Sequence, residues 1–271
     1  MNSTGSIVRS QVTLTTSESK RLIARAIIKS DIFDRAYKKG KIIIHPSSTT
    51  YFILKELNIV LPDKVWVIGM ITPDGGYRES NCQVKSTTLR DPFEFRHSWI
   101  LKDGKLQKKK TLKEILEDMT PEDIYIKGAN ALDCKGISAV LIGSEAGGTI
   151  SRVIAYSKKR NFKILVPIGL EKLIPCSVID ASKEAGVKKM NFSMGMPCGL
   201  LPIRDGYVTT EIEAIKILSG ADAFPIASGG LGEAQGAITM VIKGNKEQIE
   251  LINNYINGIK GTKLPNIEYE R

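Results

Sequence analysis

Lys41-Ile42-Ile43-Ile44-His45-Pro46-Ser47-Ser48-Thr49-Thr50 is the stretch whose reading decides the fold. Three consecutive isoleucines suit a strand buried on both faces, the kind found where helices cover a parallel sheet. Pro46 and the hydroxyl residues break that strand, and Thr50 to Leu57 reads as the helix that follows. Outward from there the alternation recurs. Thr15-Thr16-Ser17-Glu18 has capping-box spacing, and Leu22, Ile23, Ala26 and Ile27 repeat at helical intervals. One helix is therefore expected from about Ser17 towards Tyr37, ended by Gly40. Short apolar runs predict strands at Val65 to Ile68, Ile124 to Ile126, Ala139 to Ile142 and Ile164 to Val166. Helices are expected near Leu112 to Met119 and Ile150 to Lys159, and Asp103-Gly104 predicts a type I′ hairpin turn. Strands joined by helices need crossover connections, so the expected class is α/β, a mostly parallel sheet with helices on both faces.

After Gly206 the pattern becomes one helix (Thr209 to Leu218), two strands (Asp222 to Ile226 and Ala237 to Ile242) and another helix (Lys246 to Ile256). That is most of a ferredoxin-like α+β unit. The turn Gly229-Gly230-Leu231-Gly232 lies between two strands and is not a dinucleotide fingerprint. A Gly/Pro-rich stretch from Ser193 to Gly206 separates the two patterns, which gives 1–190 as a larger α/β domain, 206–262 as a smaller module and 263–271 as a tail.

The chain has 271 residues, with 39 Lys+Arg against 29 Asp+Glu and a net charge of +10. Its 42% hydrophobic and 25% charged content excludes collagen-like, low-complexity and wholly disordered classes. The basic excess lies ahead of Asn191, densest from Lys102 to Lys113. That run has charge enough to attract nucleic acid, but a solvated hairpin and helix start is the favoured reading, and no aromatic stacking ladder accompanies it. Nucleic acid is not an expected partner. Four scattered cysteines and two histidines suggest no metal site and no disulfide framework. With no signal-like start and no run of about 18 apolar residues, the expectation is a cytoplasmic, non-membrane protein without a cofactor.

Ligands of an open parallel sheet sit beyond the carboxyl ends of its strands. The run Ser47, Ser48, Thr49 and Thr50 offers hydroxyls and free N–H groups at a helix N-terminus, which suits a phosphate or carboxylate; a helix cap is the alternative. Gly147, Gly148 and Thr149, with Arg152 in the next turn, offer a second such loop. Glu145 beside them reads as a general base or as a surface carboxylate. Gly128, Ala129, Asn130 and Asp133 end another strand, forming a polar rim or an ordinary Asx turn. Lys172 either pairs an anion or forms a surface ion pair with Glu171.

The order of these motifs resembles the effector-binding domain of sugar-phosphate-responsive bacterial repressors. Ile44 to Thr50, Gly75-Gly76-Tyr77-Arg78-Glu79-Ser80 and Ile126-Lys127-Gly128-Ala129-Asn130-Ala131-Leu132-Asp133 carry the likeness, with Gly136 and Gly148-Thr149 following. That domain belongs to the superfamily of ribose-5-phosphate isomerase, glucosamine-6-phosphate deaminase and the CoA transferases. The resemblance covers residues 18–180 and implies a phosphate on Ser47 to Thr50, with the polar end of the ligand near Asn130, Asp133 and the Glu145 to Thr149 loop. The isomerases have an acidic residue where this chain has Asn130, and Lys127 matches the first residue of their Asp-Gly-Ala-Asp run. An amide cannot take a proton as a carboxylate does, so Asp133 or Glu145 becomes the candidate acid/base. The expected function is binding of, and action on, a small anionic metabolite: a sugar phosphate, CoA thioester or carboxylate. A metabolite sensor using the C-terminal module for contacts, in a homo-oligomer, is the alternative.

Overall fold

Thr15 caps the first helix as its spacing predicts: its N–H donates to the Glu18 carboxylate at 2.9 Å, and its hydroxyl accepts from the Glu18 N–H. The computed structural model describes residues 6–59, 67–73, 75–79, 98–108 and 110–265. The chain runs through β1 (Val8–Leu14), α1 (Thr16–Lys29), α2 (Asp31–Lys39), β2 (Lys41–Ile44), α3 (Ser48–Glu56), β3 (Ile68–Thr72) and β4 (Gly75–Glu79). Next come β5 (Trp99–Lys102), β6 (Lys105–Leu106), α4 (Leu112–Glu117), β7 (Ile124–Ile126), β8 (Ala131–Leu132) and β9 (Ser138–Ile142). Then follow α5 (Gly148–Arg160), β10 (Lys163–Pro167), α6 (Val178–Glu184), β11 (Gly199–Ile203) and β12 (Tyr207–Thr209). The chain finishes with α7 (Glu211–Ser219), β13 (Asp222–Gly229), β14 (Ala237–Gly244) and α8 (Lys246–Asn257).

The fold is mixed α/β. Its largest sheet has six strands in the order β12-β10-β7-β2-β5-β6. The first four are mutually parallel, and β5 and β6 add antiparallel at one side. Period-2 alternation assigns the isoleucine run: Ile42 and Ile44 pack with Ile126, Leu165 and α1, whereas Ile43 packs with Tyr125, Ile164 and α4 on the other face. With both faces covered, an uninterrupted apolar run is the stable choice. Arg21 and Arg25 grip Glu56 at 2.6 and 3.0 Å, locking α1 to α3.

Several elements differ from expectation. The first helix is two, because Ser30 leaves helical geometry and its hydroxyl accepts from the Phe33 N–H to start α2. The sheet is mixed, with two antiparallel strands beside its four parallel ones, and the strand expected at Ala139 to Ile142 lies outside it: β9 sits between β8 and β11 in an antiparallel sheet. Val65 and Trp66, expected to open a strand, lie outside the described residues, as do Ser80 of the glycine motif and Lys109 of the basic run. Asp103 and Gly104 have φ of 51° and 69°, the two positive values that a type I′ turn needs; Lys102 to Lys108 are exposed, while Ile100 and Leu101 of β5 are buried.

After Gly206 the helix, two strands and helix appear as α7, β13, β14 and α8. The sheet they form has a third strand from the other end of the chain, β1, paired antiparallel with β14 from Val8↔Gly244 to Leu14↔Ile238. A complete ferredoxin-like unit has four strands, and this sheet has three among the described residues. Ile215, Met240 and Ile252 share one apolar core with Leu22, Ile42 and Phe52. Among the described residues no helix is long and apolar enough to cross a membrane.

Candidate functional site

Parallel strands β2, β7 and β10 end side by side, so the segments that follow them meet at one edge. Together with Val67 to Ile71 they enclose a cavity of about 280 Å³. Its polar lining is formed by Lys20, Ser47, Ser48, Lys127, Asn130, Glu171 and Lys172.

The α3 end of the cavity is built by capping. Ser47 Oγ accepts from the Thr50 N–H at 3.1 Å, which leaves the Ser48 and Thr49 N–H groups in the first turn without a carbonyl of the helix to bond. Those groups and the helix dipole favour negative charge there. Gly128 brings the end of β7 against this cap: a Cβ at that position would lie 3.0 Å from Ser47 Oγ. The four hydroxyls do not act alike. Thr50 turns inward and donates to the His45 carbonyl at 2.7 Å, and Thr49 is buried away from the cavity lining. Ser47 thus both caps the helix and, with Ser48, lines the cavity, while Thr49 and Thr50 do not line it.

The lining also carries charge. The Lys127 N–H donates to the Leu165 carbonyl at 3.0 Å, extending the β7–β10 ladder by one residue, and its side chain is 8% exposed. Among the described residues no carboxylate pairs with it. Lys172 Nζ donates to the Ala129 carbonyl at 2.7 Å. Burial lowers the Lys127 pKa to about 7, with the Lys172 charge contributing. Burial also lowers Lys172, to about 8, with Lys20 adding repulsion and Glu171 and Glu211 partly offsetting both. Glu171 sits 3.7 Å from the Lys20 ammonium, and neither of its buried oxygens has a hydrogen-bond partner. Glu211, fully buried at the start of α7, accepts from the Leu170 N–H at 2.9 Å. Burial and the neighbouring Glu171 raise its pKa to about 7.

Asn130 lines the cavity as a latch. Its amide donates to the Gly69 carbonyl at 2.6 Å and its oxygen accepts from the Leu141 N–H at 3.0 Å, so both ends are engaged. Ala129 and Gly128 contribute backbone to the same wall.

The remaining expected residues lie elsewhere. Asp133 accepts from the N–H groups of Lys135, Ile137 and Val178 at 2.9 to 3.0 Å, tying a turn to the start of α6. These bonds outweigh desolvation and lower its pKa, which suits a structural anion and not a proton shuttle. Glu145 is exposed and paired with Lys188 at 2.8 Å. Gly147 and Gly148, with φ of 80° and 59°, start α5 together with Thr149, and none of the three lines the cavity. The reason is topological: β9, which leads into that loop, belongs to the separate antiparallel sheet. His45 is buried with Nδ1 3.2 Å from the Tyr125 hydroxyl.

Lys127, Lys20 and Glu211 are the charged groups that sequence reasoning did not select for the site. Lys127 carried a signal, a lysine directly after the buried run Ile124-Tyr125-Ile126. Glu211 carried none, because it reads as an ordinary acidic residue in the first turn of a helix. Among the described residues no group of three or more His, Cys, Asp or Glu side chains is arranged to hold a metal. Comparison of the chain with family models, with curated proteins and with solved structures finds no match.

Proposed function

We propose that this protein binds a small anionic metabolite, carrying a phosphate or carboxylate, in the cavity between α3 and the Lys127 and Lys172 side chains. The observation that carries this reading is the position of Lys127: a lysine 8% exposed, with no carboxylate partner among the described residues, lining the same cavity as the N-terminus of α3. Lys20, Lys127 and Lys172 line one space, where burial and then the Lys172 charge lower the affinity of Lys127 for its proton, and burial and then Lys20 lower that of Lys172. An anion between them offsets that repulsion and also meets the free N–H groups of Ser48 and Thr49. The motif resemblance, which puts a phosphate on residues 47–50, agrees with this placement at Ser47 and Ser48. Membership of the sugar-phosphate superfamily, a ferredoxin-like origin for the β1-β14-β13 unit, homo-oligomer formation and a cytoplasmic location belong to the same proposal.

The test is a thermal-shift and calorimetric titration with inorganic phosphate, ribose 5-phosphate, acetate and acetyl-CoA. Binding to the native state raises Tm with ligand concentration. The response should disappear in Lys127→Met/Lys172→Met. A wild type that responds to none of these anions, or a double variant that responds undiminished, overturns the reading.

A further inference from the structure

We infer that Lys127 is a nucleophile whose amine condenses with the carbonyl carbon of a small aldehyde or ketone that also carries the anionic group. The inference rests on the anion-binding reading and adds the second functional group of the ligand.

Geometry separates Lys127 from the other little-exposed lysines. Lys20 has Glu171 at 3.7 Å, Lys41 has Asp118 at 3.0 Å, and Lys172 is held on the Ala129 carbonyl at 2.7 Å. Each of those ammoniums is occupied in holding structure. Lys127 holds nothing among the described residues, and it lines the same cavity as Ser47 and Ser48 at the start of α3. Because Gly128 abuts Ser47, the root of Lys127 lies next to the seat proposed for the anion. A ligand fixed there by its charged end has its remaining atoms beside the Lys127 amine, which is the positioning that makes a bimolecular condensation effectively unimolecular. At 280 Å³ the cavity falls just below the size typical for drug-like ligands, which suits a molecule of a few carbons.

Protonation favours the same chemistry. With its pKa lowered to about 7, first by burial and then by Lys172, Lys127 has a substantial unprotonated fraction near neutral pH. The ammonium first releases one proton to solvent. The amine nitrogen then attacks the carbonyl carbon, forming a C–N bond as the C=O π bond opens, and a second proton passes from nitrogen to that oxygen to give a hydroxyl. The first proton returns from solvent to the hydroxyl, which leaves as water as the nitrogen lone pair forms the C=N bond. The sum converts an ammonium and a carbonyl into an iminium and water, with charge and atoms balanced and no other reactant.

The experiment treats the full chain with glyoxylate, pyruvate, dihydroxyacetone phosphate or ribose 5-phosphate in the presence of borohydride, which reduces an iminium to a stable amine. Adducts are mapped by peptide mass spectrometry. At least one compound should label Lys127 about tenfold above any exposed lysine, and excess inorganic phosphate should suppress that label. Lys127→Arg, whose guanidinium does not condense with a carbonyl under these conditions, should lose the label. Label spread over exposed lysines, or none at all, in a protein whose Tm phosphate still raises, overturns the nucleophile and leaves the anion site standing. A Tm unmoved by any of these anions overturns both.

Discussion

Lys172 donates its ammonium to the carbonyl of Ala129 across 2.7 Å, which fixes a second positive charge beside the Lys127 wall of the same cavity. The contact turns an isolated buried lysine into one of a repelling pair. Removing the Lys172 charge in Lys172→Met should therefore raise the Lys127 pKa from about 7, since a like-charge interaction is lost and burial remains. The pH dependence of Lys127 acylation by a small anhydride measures this directly, and a midpoint unchanged or lowered would contradict the coupling.

The buried charges set an unusual stability profile. Glu211 binds its proton more tightly in the folded state, at about 7 against an ordinary 4.5, so its contribution is full below about 4.5 and is lost as pH rises through 7. Lys127 and Lys172 bind theirs less tightly when folded, at about 7 and about 8 against 10.5. Between those values and 10.5 the unfolded chain holds more protons, so stability gained from these groups rises with pH. Urea melts from pH 5 to 9.5 should show this contribution as a minimum near neutrality. Glu211→Gln should flatten the acidic limb and Lys127→Met the alkaline one, each by a few kcal/mol at most.

Asp133 should matter for folding and not for ligand. Its carboxylate satisfies three backbone N–H groups at a site 2% exposed, so Asp133→Ala should cost about 3 kcal/mol in denaturant unfolding. Phosphate binding at temperatures where the variant is folded should be retained. A loss of affinity without loss of stability would return Asp133 to the site.

Asn130→Asp tests whether an acidic residue is tolerated at the position where the resembled isomerases have one. The carboxylate would face the Gly69 carbonyl, which now accepts from the amide at 2.6 Å, so a donor is replaced by a second acceptor. A destabilisation of about 1–3 kcal/mol is expected from urea melts. A variant as stable as wild type would show that this wall can rearrange.

Glu145→Gln should leave stability within about 0.5 kcal/mol of wild type and leave anion binding unchanged, because its only ion pair among the described residues, with Lys188, is exposed. Reduced affinity for any of the anions would restore the Gly147 to Thr149 loop as part of the site.

Local interactions determined much of this protein from sequence alone. The Thr15–Glu18 capping box, the Asp103-Gly104 turn, the Ile42–Ile44 strand and the Ser47 cap all depend on residues within a few positions of one another, so spacing and residue type suffice to read them. The meeting of the Ser47, Lys127 and Lys172 segments was also legible, because strands joined by crossovers must end on a common edge. Tertiary structure alone decided which partners distant strands took. β9 reads locally like any other apolar strand, yet its pairing with β11 carries Glu145 and the Gly147 to Thr149 loop away from the cavity. β1 pairs with β14 across most of the chain, and Glu211 reaches Leu170 only because α7 packs there. Side-chain pattern reports which face is buried and not which strand lies alongside, and the pKa of a buried group depends on neighbours that no local window contains.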